Sequence, residues 1–458
     1  MKKKFSLSGF PSFNHFQNVK REYITSILKK QFNLFGFSPI KTSCVEKRSN
    51  LYGQYGDEGD KLIFQILKSG NYLNKVENDL NTIPIEQISS LISDKALRYD
   101  LTVPLARFVS ENKNNITFPF KRYEIGPVWR ADRPQKGRLR EFTQCDADIV
   151  GESSLWLEVE IINLIISCLK KIKLFDFSIQ INNRKILEGL FTSFKSNLSF
   201  EGFCIIIDKI SKIGKDKVLD LLIEGGFSYD SIELFSKILF FKGTISQQQE
   251  NISQHLKLNS KLEMGFLEIH SINDRLSSGN FNNYIHLDLT LARGLDYYSG
   301  IIFEVVSIHN PQISIAGGGR YDKLTEKFNV KNLSGVGVSF GLDRLTLLME
   351  ELDLFPENTL NSLDFLFVNF GDEEAKSSSE YINNIRDLGY SVELYPSPIK
   401  ISKQLSYANQ RNTKLVIMIG EDEIKMKNML IKNMSNGQQI KYSFNNFLKA
   451  LKNNEFSF

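Results

Sequence analysis

At 458 residues, with 41% hydrophobic, 24% charged and 12% aromatic side chains, the chain reads as a globular protein of roughly two to four domains, and its net charge of +4 neither demands nor forbids a nucleic-acid partner. Four scattered cysteines (Cys44, Cys145, Cys168, Cys204) and five unclustered histidines argue against a disulfide frame or a metal site. No apolar run nears the ~18 residues of a membrane helix, and the start MKKKFSLSGFPSF suits neither a signal nor a transit peptide, so a cytoplasmic protein with no membrane partner is expected.

In chain order, residues 17–35 place Val19, Ile24, Ile27, Leu28, Phe32 and Phe35 near a period of 3.6, which predicts an amphipathic helix stopped by Gly36. LRYDLTVPLARF (97–108) reads as extended up to Pro104, with Asp100 and Thr102 on one side. Within 118–151, two strand-like runs flank a seven-residue loop, ADRPQKG. Alternation puts Arg140, Phe142, Gln144, Asp146 and Asp148 on one face of the second run, and Leu139, Thr143, Cys145, Ala147 and Ile149 on the other. On the first run Arg122, Glu124 and Arg130 share a face. The polar face is either solvated or a binding surface, where arginine forks suit phosphate or carboxylate and Gln144 with Asp148 suits a cation and a hydrogen-bond donor.

A helix follows over 155–172 and a strand over 178–183. Residues 185–285, rich in Leu, Ile, Lys and Ser at helical spacing and without a chemical motif, read as a helical insertion. Strand signals return from 284 to about 340. They include TLARGLDYYSGIIFEVV (290–306), whose Arg293 stands beside a buried strand and needs something to face. In SIAGGGRYDKL (314–324) three glycines make either a tight turn or a close backbone approach to a ligand. GVGVSFGLDRLTLLMEEL (335–352) runs from strand into helix with Arg344 in the first turn, where the helix dipole favours phosphate, yet no P-loop or dinucleotide fingerprint is present. After residue 362 a β-α-β-α-β order predicts a small sheet with parallel strands. Residues 400–458 hold ten Lys/Arg against four Asp/Glu, either a solvated face or a surface for an RNA backbone. Arg130, Arg293 and Arg344, each beside carboxylates or tyrosines, point to a phosphate-bearing ligand held over an antiparallel sheet.

ALRYDLTVPLARF, VWRADRPQKGRLREFTQCDADIVG, ARGLDYYSGIIFE, AGGGRYDKL and GVGVSFGLDRL, in this order, resemble the histidyl-tRNA synthetase family of class II aminoacyl-tRNA synthetases, from about residue 8 to the C-terminus. The resemblance implies an α+β catalytic domain with a central antiparallel sheet flanked by helices, in two parts (1–184 and 286–361). Between them it implies a helical insertion (185–285), and after them a C-terminal α/β anticodon-binding domain (362–458). It implies a homodimeric ligase that uses ATP and Mg2+ to convert L-histidine to histidyl-adenylate, then transfers the acyl group to the 3′ end of histidine tRNA.

Carried over by position, Asp100, Leu101 and Thr102 would hold the amino acid's α-amino end. Arg130 would bind the α-phosphate and the reacting carboxylate, and Gln144 and Asp148 the histidine end. Tyr297 and Tyr298 would line the imidazole pocket. Arg344 would lie against the adenine and reach the γ-phosphate, and Arg138 would touch the nucleotide or the acceptor end. Arg293 would face the α-phosphate, giving the charge that related enzymes take from an additional metal; no metal site on the protein itself is implied. Two departures stand out. Ser43 follows Thr42 where the family's first motif, at the dimer interface, has proline. Residues 66–100 are longer than in short members and read as a surface loop with a helical piece. The competing reading is a non-catalytic paralogue acting as the regulatory subunit of ATP phosphoribosyltransferase. The C-terminal domain and the intact ARGLDYY count against it.

Overall fold

The computed structural model describes residues 6–73, 84–279, 281–293, 297–311, 313–356, 363–453 and 455–456, which form two compact units, 1–354 and 355–458. The expected boundary at 361/362, and Gly294 and Asp296 of the arginine segment, lie outside the described residues.

The first helix shows how local sequence sets structure. Asn14 accepts from the Gln17 amide and Gln17 returns the bond to the Asn14 N–H, a capping box that starts His15–Leu34. Ile24, Leu28 and Phe32 recur on its buried face, and Gly36, at φ +79°, ends it.

In the first unit an eight-stranded sheet runs in the order β1 (Ser38–Pro39), β5 (Phe120–Trp129), β6 (Glu141–Val150), β11 (Gly335–Gly341), β10 (Ser314–Tyr321), β9 (Ile301–Ser307), β7 (Phe177–Asn183) and β8 (Ile285–Leu287). The six central strands are antiparallel, as expected; the pairs at the two edges, β1–β5 and β7–β8, are parallel. Alternation along β6 holds. Cys145, Ala147 and Ile149 are fully buried on the side of the flanking helices, and Gln144, Asp146 and Asp148 occupy the other face. That second face is not solvated: Arg122, paired opposite Asp148, is 0% exposed. A small antiparallel sheet of β2 (Val45–Lys47), β4 (Lys95–Leu97) and β3 (Gln65–Ile66) lies beside it in the chain.

Three local expectations change. The segment through Pro104 is helical, Thr102–Asn112, because a proline in the first turn lacks only an N–H that would have had no intrahelical partner. The hairpin strands stop at Trp129 and resume at Glu141, so Arg130 and Arg140 belong to the loop. Gly317–Gly319 make no turn; they lie inside β10, where a Cβ on Gly318 would stand 1.9 Å from the Gly337 carbonyl oxygen.

Between β7 and β8 come seven helices, from Arg184–Thr192 to Ser260–Ser277. Ser199, Ser228, Thr244 and Asn259 cap four of them through side-chain oxygens. Phe203, Phe227 and Phe235 pack with ring centroids 5.6–6.1 Å apart.

In the second unit β13 (Val392–Leu394), β12 (Leu363–Phe367) and β14 (Thr413–Met418) are parallel, as the crossover order implied. β15 (Asn428–Asn433) and β16 (Gln439–Ser443) extend the sheet as an antiparallel hairpin that the sequence reading did not include. Phe365, Phe367, Ile385, Ile417, Ile431 and Phe447 form the core on one face. Among the described residues no helix is long and apolar enough to cross a membrane.

Candidate active site

A cleft of about 1070 Å³ opens over the polar face of the large sheet, within the first unit. Asp100, Thr102, Arg130, Arg138, Gln144, Asp148, Arg293, Tyr297, Tyr298 and Arg344 all line it. Leu101 does not: its side chain is fully buried, and its carbonyl accepts from Arg122 Nη2 at 3.2 Å.

Four arginines reach the cleft, each fixed by a backbone or carboxylate acceptor. Arg130 donates Nε to the Tyr99 carbonyl (3.1 Å), with its guanidinium 4.2 Å from the Tyr99 ring centroid and 5.2 Å from that of Phe142. Arg344 donates to the carbonyls of Gly137 (3.0 Å) and Ser314 (2.9 Å), which ties the first turn of Leu342–Glu351 to the hairpin loop. Arg138 pairs with Asp132 at 2.8 Å.

Arg293 has φ +48° and donates Nη1 to the Phe303 carbonyl at 2.9 Å. It can lie there because Gly317 has no side chain; a Cβ would stand 1.8 Å from Nη1. Burial, and then the charges of Arg130 and Arg138 with Arg293 further off, push the Arg344 guanidinium below its ordinary range. Such crowding of buried cations is relieved by an anion.

Carboxylates and tyrosines stand beside these arginines, the Arg293 guanidinium lying 5.9 Å from the Tyr298 ring centroid. Asp100 accepts from Tyr55 Oη (3.0 Å), the Val103 N–H (3.0 Å) and Tyr297 Oη (3.4 Å). Burial raises its carboxyl from the usual range, and those donors and Arg130 oppose the rise. Asp148 Oδ1 accepts from Tyr321 Oη at 2.7 Å, while Oδ2 stands 2.7 Å from Arg122 Nη2, an ion pair at an angle too poor for a hydrogen bond. The Tyr297 and Tyr298 ring centroids are 4.8 Å apart. Tyr55→Phe removes one donor to a buried carboxylate, so urea unfolding is expected to show a loss of about 1 kcal/mol, the effect of a single hydrogen bond.

The profile of the histidyl-tRNA synthetase family matches residues 93–345, and that of the anticodon-binding domain matches residues 366–454. A histidine–tRNA ligase of Christiangramia forsetii is 43% identical over 97% of this chain and 98% of its own. That of Flavobacterium johnsoniae is also 43% identical, with the same coverage. The chain belongs to the histidyl-tRNA synthetase family. Its fold agrees: the crystal structure of histidyl-tRNA synthetase from Nostoc sp. PCC 7120 superposes with a TM-score of 0.80 at 27% identity, covering 99% of this chain and 100% of that one. For a member of this family, every site residue from Asp100 to Arg344 falls inside the matched catalytic span.

Several cleft residues were absent from the sequence reading of this synthetase-family site. Tyr55 carries no motif of its own, and Tyr99 lies in LRYDLTVPLARF without having been singled out; their packing, ring centroids 4.3 Å apart, reveals them. Tyr321 was visible in AGGGRYDKL but given no role; Arg122, which holds Asp148 without lining the cleft, was named in the β5 alternation.

Proposed function

We propose that this chain is a histidine–tRNA ligase that activates L-histidine with ATP and transfers it to the 3′ end of histidine tRNA. The observation that carries the reading is the arrangement of one cleft. Three arginines held by backbone carbonyls, Arg130, Arg293 and Arg344, line it together with Asp100, Gln144, Asp148 and two tyrosines. A phosphate ester fits the arginines, and a small cationic molecule with ring nitrogens fits the acids and tyrosines.

Histidine lies with its α-ammonium toward Asp100 and Thr102, with Leu101 acting through its backbone, and with its ring against Tyr297 and Tyr298. Gln144 and Asp148 hold the histidine end of the site. Arg130 neutralises the carboxylate and the α-phosphate together, which lets two anions meet. A carboxylate oxygen attacks the α-phosphorus, the bond to the β-phosphate oxygen breaks, and pyrophosphate leaves with the electron pair. Arg293 takes up the charge that develops on the α-phosphate oxygens, and its fixed position avoids reorganisation during the step. Arg344 holds the adenine and γ-phosphate side, and Arg138 the nucleotide or the acceptor end. A ribose hydroxyl of the tRNA then attacks the acyl carbon, and AMP leaves.

Mg2+ enters with the nucleotide. Such ions are commonly held by one or two carboxylates plus substrate phosphates, and Glu304 is the cleft carboxylate close enough to act electrostatically on Arg293 and Arg344. Most of the ion's remaining ligands would be the nucleotide's own phosphate oxygens.

The division into 1–184, 185–285, 286–361 and 362–458 assigns the adenylation site to the first and third parts. The insertion goes to the acceptor side and the last part to the anticodon. A cytoplasmic homodimer fits the same reading. Val45, Leu67, Tyr72 and Leu73 leave large apolar side chains exposed on or just after the small sheet, near the first motif.

ATP–pyrophosphate exchange without tRNA, run against each of the twenty amino acids, tests the proposal. Exchange with histidine alone is the expected result. No exchange with any of them, from folded protein, would shift the reading to the regulatory paralogue.

A further inference from the structure

Hydrogen-bond accounting at the floor of the cleft singles out a residue to which no role has been given above. Three carboxylates there feel one another: Asp100, Asp146 and Asp148. The oxygens of Asp100 accept from Tyr55, Val103 and Tyr297; Asp148 Oδ1 accepts from Tyr321, and its Oδ2 makes no hydrogen bond but is held in the ion pair with Arg122. Asp146, 2% exposed and bonded to Ser339, still has Oδ1 without a partner. One pleat away on the same face of β6, Gln144 is 9% exposed and its Oε1 is unpartnered as well. Both residues line the cleft. Buried acceptors without donors cost about 1–3 kcal/mol each, so the two acceptor atoms on this face that have neither a hydrogen bond nor an ion pair mark the place of a missing donor.

We infer that Asp146 Oδ1 and Gln144 Oε1 together receive the α-ammonium of the bound histidine, making Asp146 a substrate-binding residue and the source of the enzyme's demand for a free amino group. This rests on the function proposed above and deepens it. A neutral imidazole offers a single N–H, whereas an ammonium has three donors and can serve two or more acceptors at once. Asp100 and Thr102 then border the ammonium, and Asp146 gives it an oxygen not already spent on the protein. Burial pushes the Asp146 carboxyl well above its ordinary range; Arg122 opposes this, and Asp148 adds to it. A cation placed beside this carboxyl favours its charged form, as the Arg122 charge already does.

The test uses the full chain, ATP–pyrophosphate exchange, and inhibition by imidazolepropionate, which keeps the ring and carboxylate but lacks the ammonium. In Asp146→Asn, histidine KM is expected to rise at least tenfold, with the KM for ATP and the inhibition constant of imidazolepropionate each unchanged within twofold. An unchanged histidine KM, or equal weakening of histidine and imidazolepropionate, overturns the inference. Thermal melting reports folding, and if the Asn variant does not fold, Asp146→Ser is read by the same criteria. Lack of exchange in the unaltered chain would instead defeat the proposed function, so the two failures are distinguishable.

Discussion

Arg293→Ala is expected to lower ATP–pyrophosphate exchange by about a thousandfold, the scale of losing one preorganised transition-state donor, with folding intact. A crowded pentavalent phosphorus gains negative charge on oxygens that only a nearby cation can balance, and Arg293 is built to be that cation. Its backbone sits at φ +48°, a region costing a non-glycine residue ~1–3 kcal/mol. Its Nη1 is bonded to the Phe303 carbonyl, which leaves the rest of the fork for the cleft. Gly317 completes the seat, and Gly317→Ala should imitate the loss because the new Cβ would stand 1.8 Å from Nη1 and drive the guanidinium away. Arg293→Lys keeps the charge but not the planar fork and should fall between the two. Circular dichroism and melting check the fold; near-normal exchange in Arg293→Ala would end the idea.

The seat also shows what could be read before any coordinates. The glycine run was legible as a place of close approach, but not as to what approaches. A period of two told which β6 side chains share a face, so Gln144, Asp146 and Asp148 came out together. It could not tell whether that face met water, because burial depends on what the helix start at Thr102 and the loop after Trp129 place over it. Arg122 shows the same limit: its alternation was visible, but its ion pair with Asp148 follows from the strand register, which no local pattern gives. Leu101 was carried over with its neighbours, yet its side chain is fully buried and its carbonyl accepts from Arg122. Pro104 misled because a proline ends helices more often than it opens them, and the Asp100 cap on Val103 decided otherwise. In the second unit the hairpin β15–β16 had a signal in the turn SNG between alternating runs. Its polar outward residues diluted that signal.

Asp148→Ala should cost about 3–5 kcal/mol of unfolding free energy, the usual consequence of leaving one partner of a buried ion pair alone. Arg122 is 0% exposed and has lost water on every side, so without the Asp148 carboxylate its charge has only Asp146 and Glu124 to lean on. Tyr321 loses its acceptor in the same stroke. The pair is packed without slack: a Cβ on Gly337 would stand 1.9 Å from Asp148 Oδ1. A double variant, Arg122→Met with Asp148→Ala, removes both charges and should recover most of the lost stability, since apolar replacements of buried pairs are often neutral or better. Histidine activation should not recover, because the imidazole N–H and the Tyr321 hydroxyl would then lack their acceptor. Urea unfolding read alongside pyrophosphate exchange separates the two effects. Recovery of stability without activity assigns Asp148 to the histidine pocket as well as to the fold. Recovery of both would reduce Asp148 to a counter-ion for Arg122.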